Sequence, residues 1–138
     1  MKKQDREKIR IMFGGRCAYC GCILGKSFHA DHVKAVIRQS EWVHNGRMII
    51  GSRATGVLDH PENDTIDNMF PSCAPCNLAK MDMDVDLFRS ELEKQVERAR
   101  KTSRNFRFAE KYGLVQIIEK PIIFWFEQFR LEESKELE

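Results

Sequence analysis

Apolar and polar positions change rhythm along the chain, and each change predicts an element. Ile9, Met12 and Phe13 fall at i, i+3 and i+4, which predicts a short helix over residues 3–13, ended by Gly14-Gly15. Ser27–Val33 reads as a strand whose end carries His29, Asp31 and His32. Residues 34–67 are less regular: Glu41–His44 reads as helical, Arg47–Val57 as a hairpin punctuated by Gly51 and Gly56, and Pro61–Asp64 as a turn. Pro75 suits the first turn of a helix, where a missing N–H costs nothing. Val85, Phe88, Leu92, Val96 and Ala99 make the apolar stripe of a longer helix over residues 85–101. Phe106–Tyr112 reads as a short helix stopped by Gly113. Leu114–Ile118 and Ile122–Phe126 are β-rich runs split by Pro121, and they predict a C-terminal β-hairpin. The expected class is α+β.

At 138 residues the chain is expected to form one domain: a core over about 15–82, an extension over 83–130 and an acidic tail over 131–138. Hydrophobic residues at 42% and charged residues at 32% suit a soluble globular protein. The net charge of +2 hides an uneven distribution. Cations gather in 1–10 and 94–111, while Glu127, Glu132, Glu133, Glu136 and Glu138 make the end acidic. A single charge run is ordinarily a solvated helix face, so the total alone announces no nucleic-acid binder. No apolar run approaches the ~20 residues of a membrane span, and the basic N-terminus lacks the apolar stretch of a signal peptide. A cytoplasmic protein is expected.

The cysteine spacing carries more. Cys17 and Cys20 form one C-x2-C pair, and Cys73 and Cys76 form another. Such pairs are a zinc signal, because four thiolates close a tetrahedral site. Here zinc would clamp two distant segments. Cys22 is the fifth cysteine and reads as a small buried residue, with the capacity to replace a neighbouring ligand.

With sulfur reserved for zinc, oxygen donors are left for a harder cation. The Asp31 carboxylate and the Asn77 amide oxygen suit magnesium or manganese. The His32 imidazole, titrating near neutrality, can take a proton from an attacking water. Asn68 is placed to orient that imidazole through its amide oxygen. Taken singly, a histidine at a strand end is usually packing and an asparagine is usually a cap. The combination is what points to phosphodiester hydrolysis.

The segments CAYCG at 17–21, HADHV at 29–33, Asn68, and CAPCNLAK at 73–80 resemble the HNH endonucleases of the ββα-metal, or His-Me finger, group. The resemblance runs from Cys17 to Lys80, and the downstream segments resemble the C-terminal part of phage-type members. It implies a small ββα-metal core stapled by zinc on Cys17, Cys20, Cys73 and Cys76, with flanking helices. It also implies His32 as general base, Asp31 and Asn77 on the catalytic cation, Asn68 orienting His32, and DNA as substrate. The chain departs from the family pattern in two ways. Lys34-Ala35 stands where a proline is usual, and Asn68 lies far downstream of Asp31-His32. A second Asp-His pair, Asp59-His60, lies closer to Asn68 but leads into a turn, so Asp31-His32 is preferred. His29 shares a strand face with Asp31 and is a candidate for supporting the metal. His44 reads as incidental.

Lys34 and Lys80 beside the site, and Arg98, Lys101 and Arg104 in the basic stretch, are candidate phosphate contacts. Arg38, Arg47 and Arg53 could carry the 34–67 insertion into a groove. The competing readings are a zinc-stapled DNA-binding module without catalysis, and an adaptor of a phage packaging machine that cuts only with a protein partner.

Overall fold

The computed structural model describes residues 1–138. It mixes helix and strand: six helices and two small antiparallel sheets. Helix α1 (Lys3–Ile11) leads through a cysteine knuckle to strand β1 (His29–His32). Strands β2 (Ile37–Asn45) and β3 (Met48–Asp59) form an arm, after which β4 (Met69–Ser72) returns to pair with β1. Helices α2 (Ala74–Lys80), α3 (Val85–Glu93), α4 (Gln95–Thr102), α5 (Arg104–Lys111) and α6 (Trp125–Glu136) follow.

The core gathers around the β1–β4 pair, in which Asp31 faces Phe70 and His32 faces Met69. Ile9 of α1 is fully buried and Phe13, just beyond the helix, nearly so. Gly14 and Gly15, both at positive φ, turn the chain away at this point. The knuckle is tied on both sides by backbone bonds. Ala18 N–H donates to Pro71 O of β4 at 2.8 Å, while Ala18 O accepts from Phe126 N–H at 2.8 Å and Tyr19 O from Trp125 N–H at 3.0 Å. Gly21 sits at φ 78°, and a Cβ there would lie 3.3 Å from the Trp125 ring, so two constraints call for glycine. Aromatic rings fill the space between. Phe13 meets Phe70 edge-on at 5.0 Å, and Tyr19 meets Phe88 and Phe124 edge-on, each at 5.4 Å. Such pairs add roughly 0.5–1.5 kcal/mol each beyond area burial.

Several expectations need correcting. Glu41–His44 is strand rather than helix, and Met48–Asp59 is one continuous strand whose partner is β2. The true hairpin loop is Gly46-Arg47, between the paired Asn45 and Met48. Gly46 takes φ 63°, the positive value that type II′ turns require at their first loop position. The helix expected over 85–101 breaks at Lys94 into α3 and α4, with the Asp84 carboxylate capping α3 by accepting from Leu87 N–H at 2.7 Å. The C-terminal β-hairpin does not form. Residues 115–124 are neither strand nor helix, and α6 runs to Glu136 through most of the acidic tail. The β-rich composition of 114–126 finds no partner strand, and β-propensity expresses packing against neighbours more than a backbone preference. Phe124 and Phe126 instead enter the core at the start of α6. There Glu127 reaches back to accept from Phe124 N–H at 2.9 Å and pairs with Arg89.

Candidate functional site

The two C-x2-C pairs meet. Cys17 and Cys20 lie on the knuckle, Cys73 immediately precedes α2, and Cys76 lies in its first turn. Cys20 Sγ and Cys73 Sγ are 3.8 Å apart. Zinc–sulfur bonds of about 2.3 Å set the edge of a tetrahedron at about 3.8 Å, so this spacing is that of two ligands on one ion. The sulfurs of Cys17, Cys20, Cys22 and Cys73 all lie within 4.8 Å of one another. Cys76, expected as the fourth ligand, lies outside this group on the first turn of α2, and Cys22 stands in its place. Four cysteines are therefore close enough together to bind a metal such as zinc. Cys22 is not the small buried residue expected: it is exposed, and its sulfur belongs to the cluster.

The thiols share charge unequally. A hydrogen bond from Cys76, helped by backbone N–H groups of Cys73, Cys20 and Tyr19, pulls the Cys17 thiol down to about 4 against its burial. The same contact pushes Cys76 up, and burial pushes Cys22 up to about 12. A divalent cation in their midst would hold them as thiolates, because ligating thiols are deprotonated.

A second site opens beside the first. A cavity of about 580 Å³ is lined by His29, Asp31, His32, Asp64, Asn77 and Asp82, together with Arg38 and an apolar rim that includes Val36, Ile37, Leu58 and Met81. Asp31, His32 and Asn77 thus line one space, brought together by β1 and α2. Asp59-His60 does not line it. His60 is exposed at φ 57° with Nδ1 on Glu62, and Asp59 accepts from Gln39.

The polar partners differ from those expected. Asp31 is buried, and its Oδ2 accepts from the Tyr19 hydroxyl at 2.5 Å and forms an ion pair with Lys80 Nζ at 3.1 Å. Its Oδ1 takes neither bond. Burial, and then the charge of Asp31, push the Tyr19 hydroxyl up, so it stays a fixed donor. Lys80 is fully buried and also donates to His32 O at 3.0 Å. Expected as a DNA contact, Lys80 instead braces the strand end, where its ammonium can be buried because a carboxylate and a carbonyl satisfy it.

Asn68 does not touch the imidazole. Its Oδ1 accepts from Lys34 N–H at 2.9 Å, and its Nδ2 donates to Lys34 O and Asn63 O, each at 2.8 Å. It clamps the backbone just after His32. The group on the imidazole is Asp64, whose Oδ1 lies 2.9 Å from His32 Nε2. Asp64 and Tyr19 were missed because nothing local marks them: one sits in a polar turn, the other between two cysteines.

Among the remaining cations, Lys34 is exposed. Arg98 is paired with Glu91, and Lys101 with Glu97 at 2.9 Å. The Arg104 guanidinium lies 5.2 Å from the centre of the Phe108 ring. No helix is long and apolar enough to cross a membrane. Compared with models of protein families, with curated proteins and with solved structures, the chain matches none.

Proposed function

We propose that this chain is a metal-dependent endonuclease of HNH type that hydrolyses DNA phosphodiesters in the cavity between β1 and α2. The observation that carries this reading is the convergence of Asp31, His32 and Asn77 on one solvent-accessible space. The antiparallel β1–β4 pair followed by α2, beside a cysteine cluster, agrees with the ββα arrangement that the resemblance implies.

Each residue has a role that follows from its contacts. Asp64 accepts from His32 Nε2, which fixes the tautomer and leaves Nδ1 as the basic nitrogen for a proton from water. Such general-base help contributes typically 10²- to 10⁴-fold. Tyr19 and Lys80 hold one oxygen of Asp31, so its Oδ1 and the Asn77 amide oxygen are the donors for magnesium or manganese. When bound, that cation neutralises charge developing on the phosphate and the leaving oxygen. Lys80 secures His32 O, and Asn68 secures the chain on the far side of His32, so the base is held from both directions. Arg38, exposed and lining the cavity, is the cation best placed to contact phosphate there.

One observation favours a second reading. The Lys80–Asp31 ion pair already neutralises the carboxylate, which weakens its pull on a cation. A zinc-stapled DNA-binding module would need no more than that. Nicking of supercoiled plasmid in magnesium or manganese decides between them. On the nuclease reading the wild type nicks, and His32→Ala is slower by at least about 100-fold. A wild type that retards DNA in gels yet never nicks it would leave the binding module standing.

A further inference from the structure

A tetrahedral ion takes four thiolates, and this chain offers five. The sulfurs of Cys17, Cys20, Cys22 and Cys73 lie within 4.8 Å of one another, and those of Cys20 and Cys73 are 3.8 Å apart. Cys76 stands on the first turn of α2 just after Cys73, at the C-x2-C spacing that lets both residues of a pair hold one ion. We propose that Cys22 and Cys76 are interchangeable fourth ligands of one zinc ion held by Cys17, Cys20 and Cys73.

Local structure supplies both arms of the exchange. Gly21, at φ 78°, reverses the chain between Cys20 and Cys22, so both sulfurs reach the same group. Cys17 N–H donates to Cys22 O at 2.8 Å, which holds the end of the knuckle loop over the cluster. Cys76 arrives from the opposite segment, on the first turn of α2 behind Cys73. In one arrangement the ion bridges the two segments by two sulfurs from each, with Cys22 left as an exposed free thiol. In the other the knuckle supplies three sulfurs and α2 one, with Cys76 left half-buried. Either way the knuckle stays joined to α2 through Cys73. The site therefore keeps its ion when either thiol is lost to an electrophile. This holds whether or not the neighbouring cavity is catalytic.

Cobalt substitution tests it, because the sulfur-to-cobalt charge-transfer band grows with the number of thiolates bound. Expected are wild-type band intensities and an undiminished zinc stoichiometry in Cys22→Ser and in Cys76→Ser. The double variant should lose about a quarter of the band, as one of four ligands disappears. A Cys76→Ser protein that fails to fold in zinc, or that already shows the reduced band, overturns the proposal because Cys22 has not taken over. A reduced band in Cys22→Ser, or a double variant identical to wild type, overturns it equally. The unmutated chain loaded with ¹¹³Cd gives an independent reading. Scalar coupling from cadmium should reach the β protons of all five cysteines, weaker at Cys22 and Cys76. Coupling confined to four would refute ligand exchange.

Discussion

The molecule holds two antiparallel strand pairs that could hardly differ more. Strands β1 and β4 have four residues each, yet β4 is buried throughout and the pair carries the Asp31–Lys80 ion pair and the His32 site. Strands β2 and β3 have nine and twelve residues, and almost every one is exposed, Trp42, Met48 and Ile50 among them. Ladder length is therefore not what orders a strand here. The short pair is covered by aromatic rings, tied to the knuckle and followed by a helix with cysteines at its start. The long pair has mainly its own ladder and an Arg53–Glu41 contact at 2.5 Å. A lone two-stranded hairpin is marginal in water. The arm persists because its base is closed, with Val33 N–H bonded to Asn68 O at 2.9 Å and the Asn68 side chain clamping Lys34. Closing the base makes the length of the insertion a minor matter, since loop entropy grows only logarithmically.

The largest effects should come from breaking the short pair's supports. Cys73→Ser removes the sulfur by which α2 joins the knuckle in both ligand sets. It is expected to weaken zinc binding and destabilise the core, since structural zinc supplies roughly 10–16 kcal/mol in zinc-finger peptides. Zinc content and thermal melting check this, and full retention of both would discard the metal clamp. Lys80→Met keeps the volume but strands the Asp31 carboxylate in the interior, so a loss of about 3–5 kcal/mol is expected by urea titration. A loss below about 1 kcal/mol would mean that the carboxylate finds water, and that the pair is less enclosed than it looks.

A smaller effect should be visible in acid. The Arg89 side chain holds the Glu127 carboxyl below its usual range. A depressed carboxyl contributes stability that is present above its unfolded pKa and lost as pH falls through the folded one. Glu127→Gln should therefore destabilise the chain at neutral pH and flatten the acid limb of a pH–stability curve. Parallel curves for the two proteins would show the contact to be idle. The smallest effect belongs to the arm. Trp42→Ser should shift stability by no more than about 0.5 kcal/mol, as for ordinary surface positions. Amide exchange in β2–β3 should also be faster than in β1–β4. Equal protection in both pairs would erase the distinction between them.

How much was legible beforehand depended on how local each feature is. The start of α2 after Cys73 and the turn at Pro61 are written in neighbouring residues and stand where they were expected, while α1 ends at Ile11, shortly before Gly14-Gly15. The two C-x2-C pairs, with fixed spacing inside each pair, announced a sulfur cluster across a long insertion. Glu41–His44 was misread because its residues suit either helix or strand, and only the ladder with β3 makes it strand. Residues 114–126 were misread for the opposite reason: the composition was β-rich, but the fold offers them no edge.

The candidate site divides along the same line. That Asp31, His32 and Asn77 were candidates followed from residue chemistry near the cysteine pairs, and that they line one cavity followed from the fold. That Lys80 would be buried on Asp31, that Asp64 rather than Asn68 would hold the imidazole, and that Cys22 would enter the sulfur cluster were settled only when the chain closed. Spacing along a chain encodes which side chains share a turn. Which carboxylate meets which cation across dozens of residues depends on burial, where an unpaired charge is too costly to keep and the nearest complementary group becomes its partner.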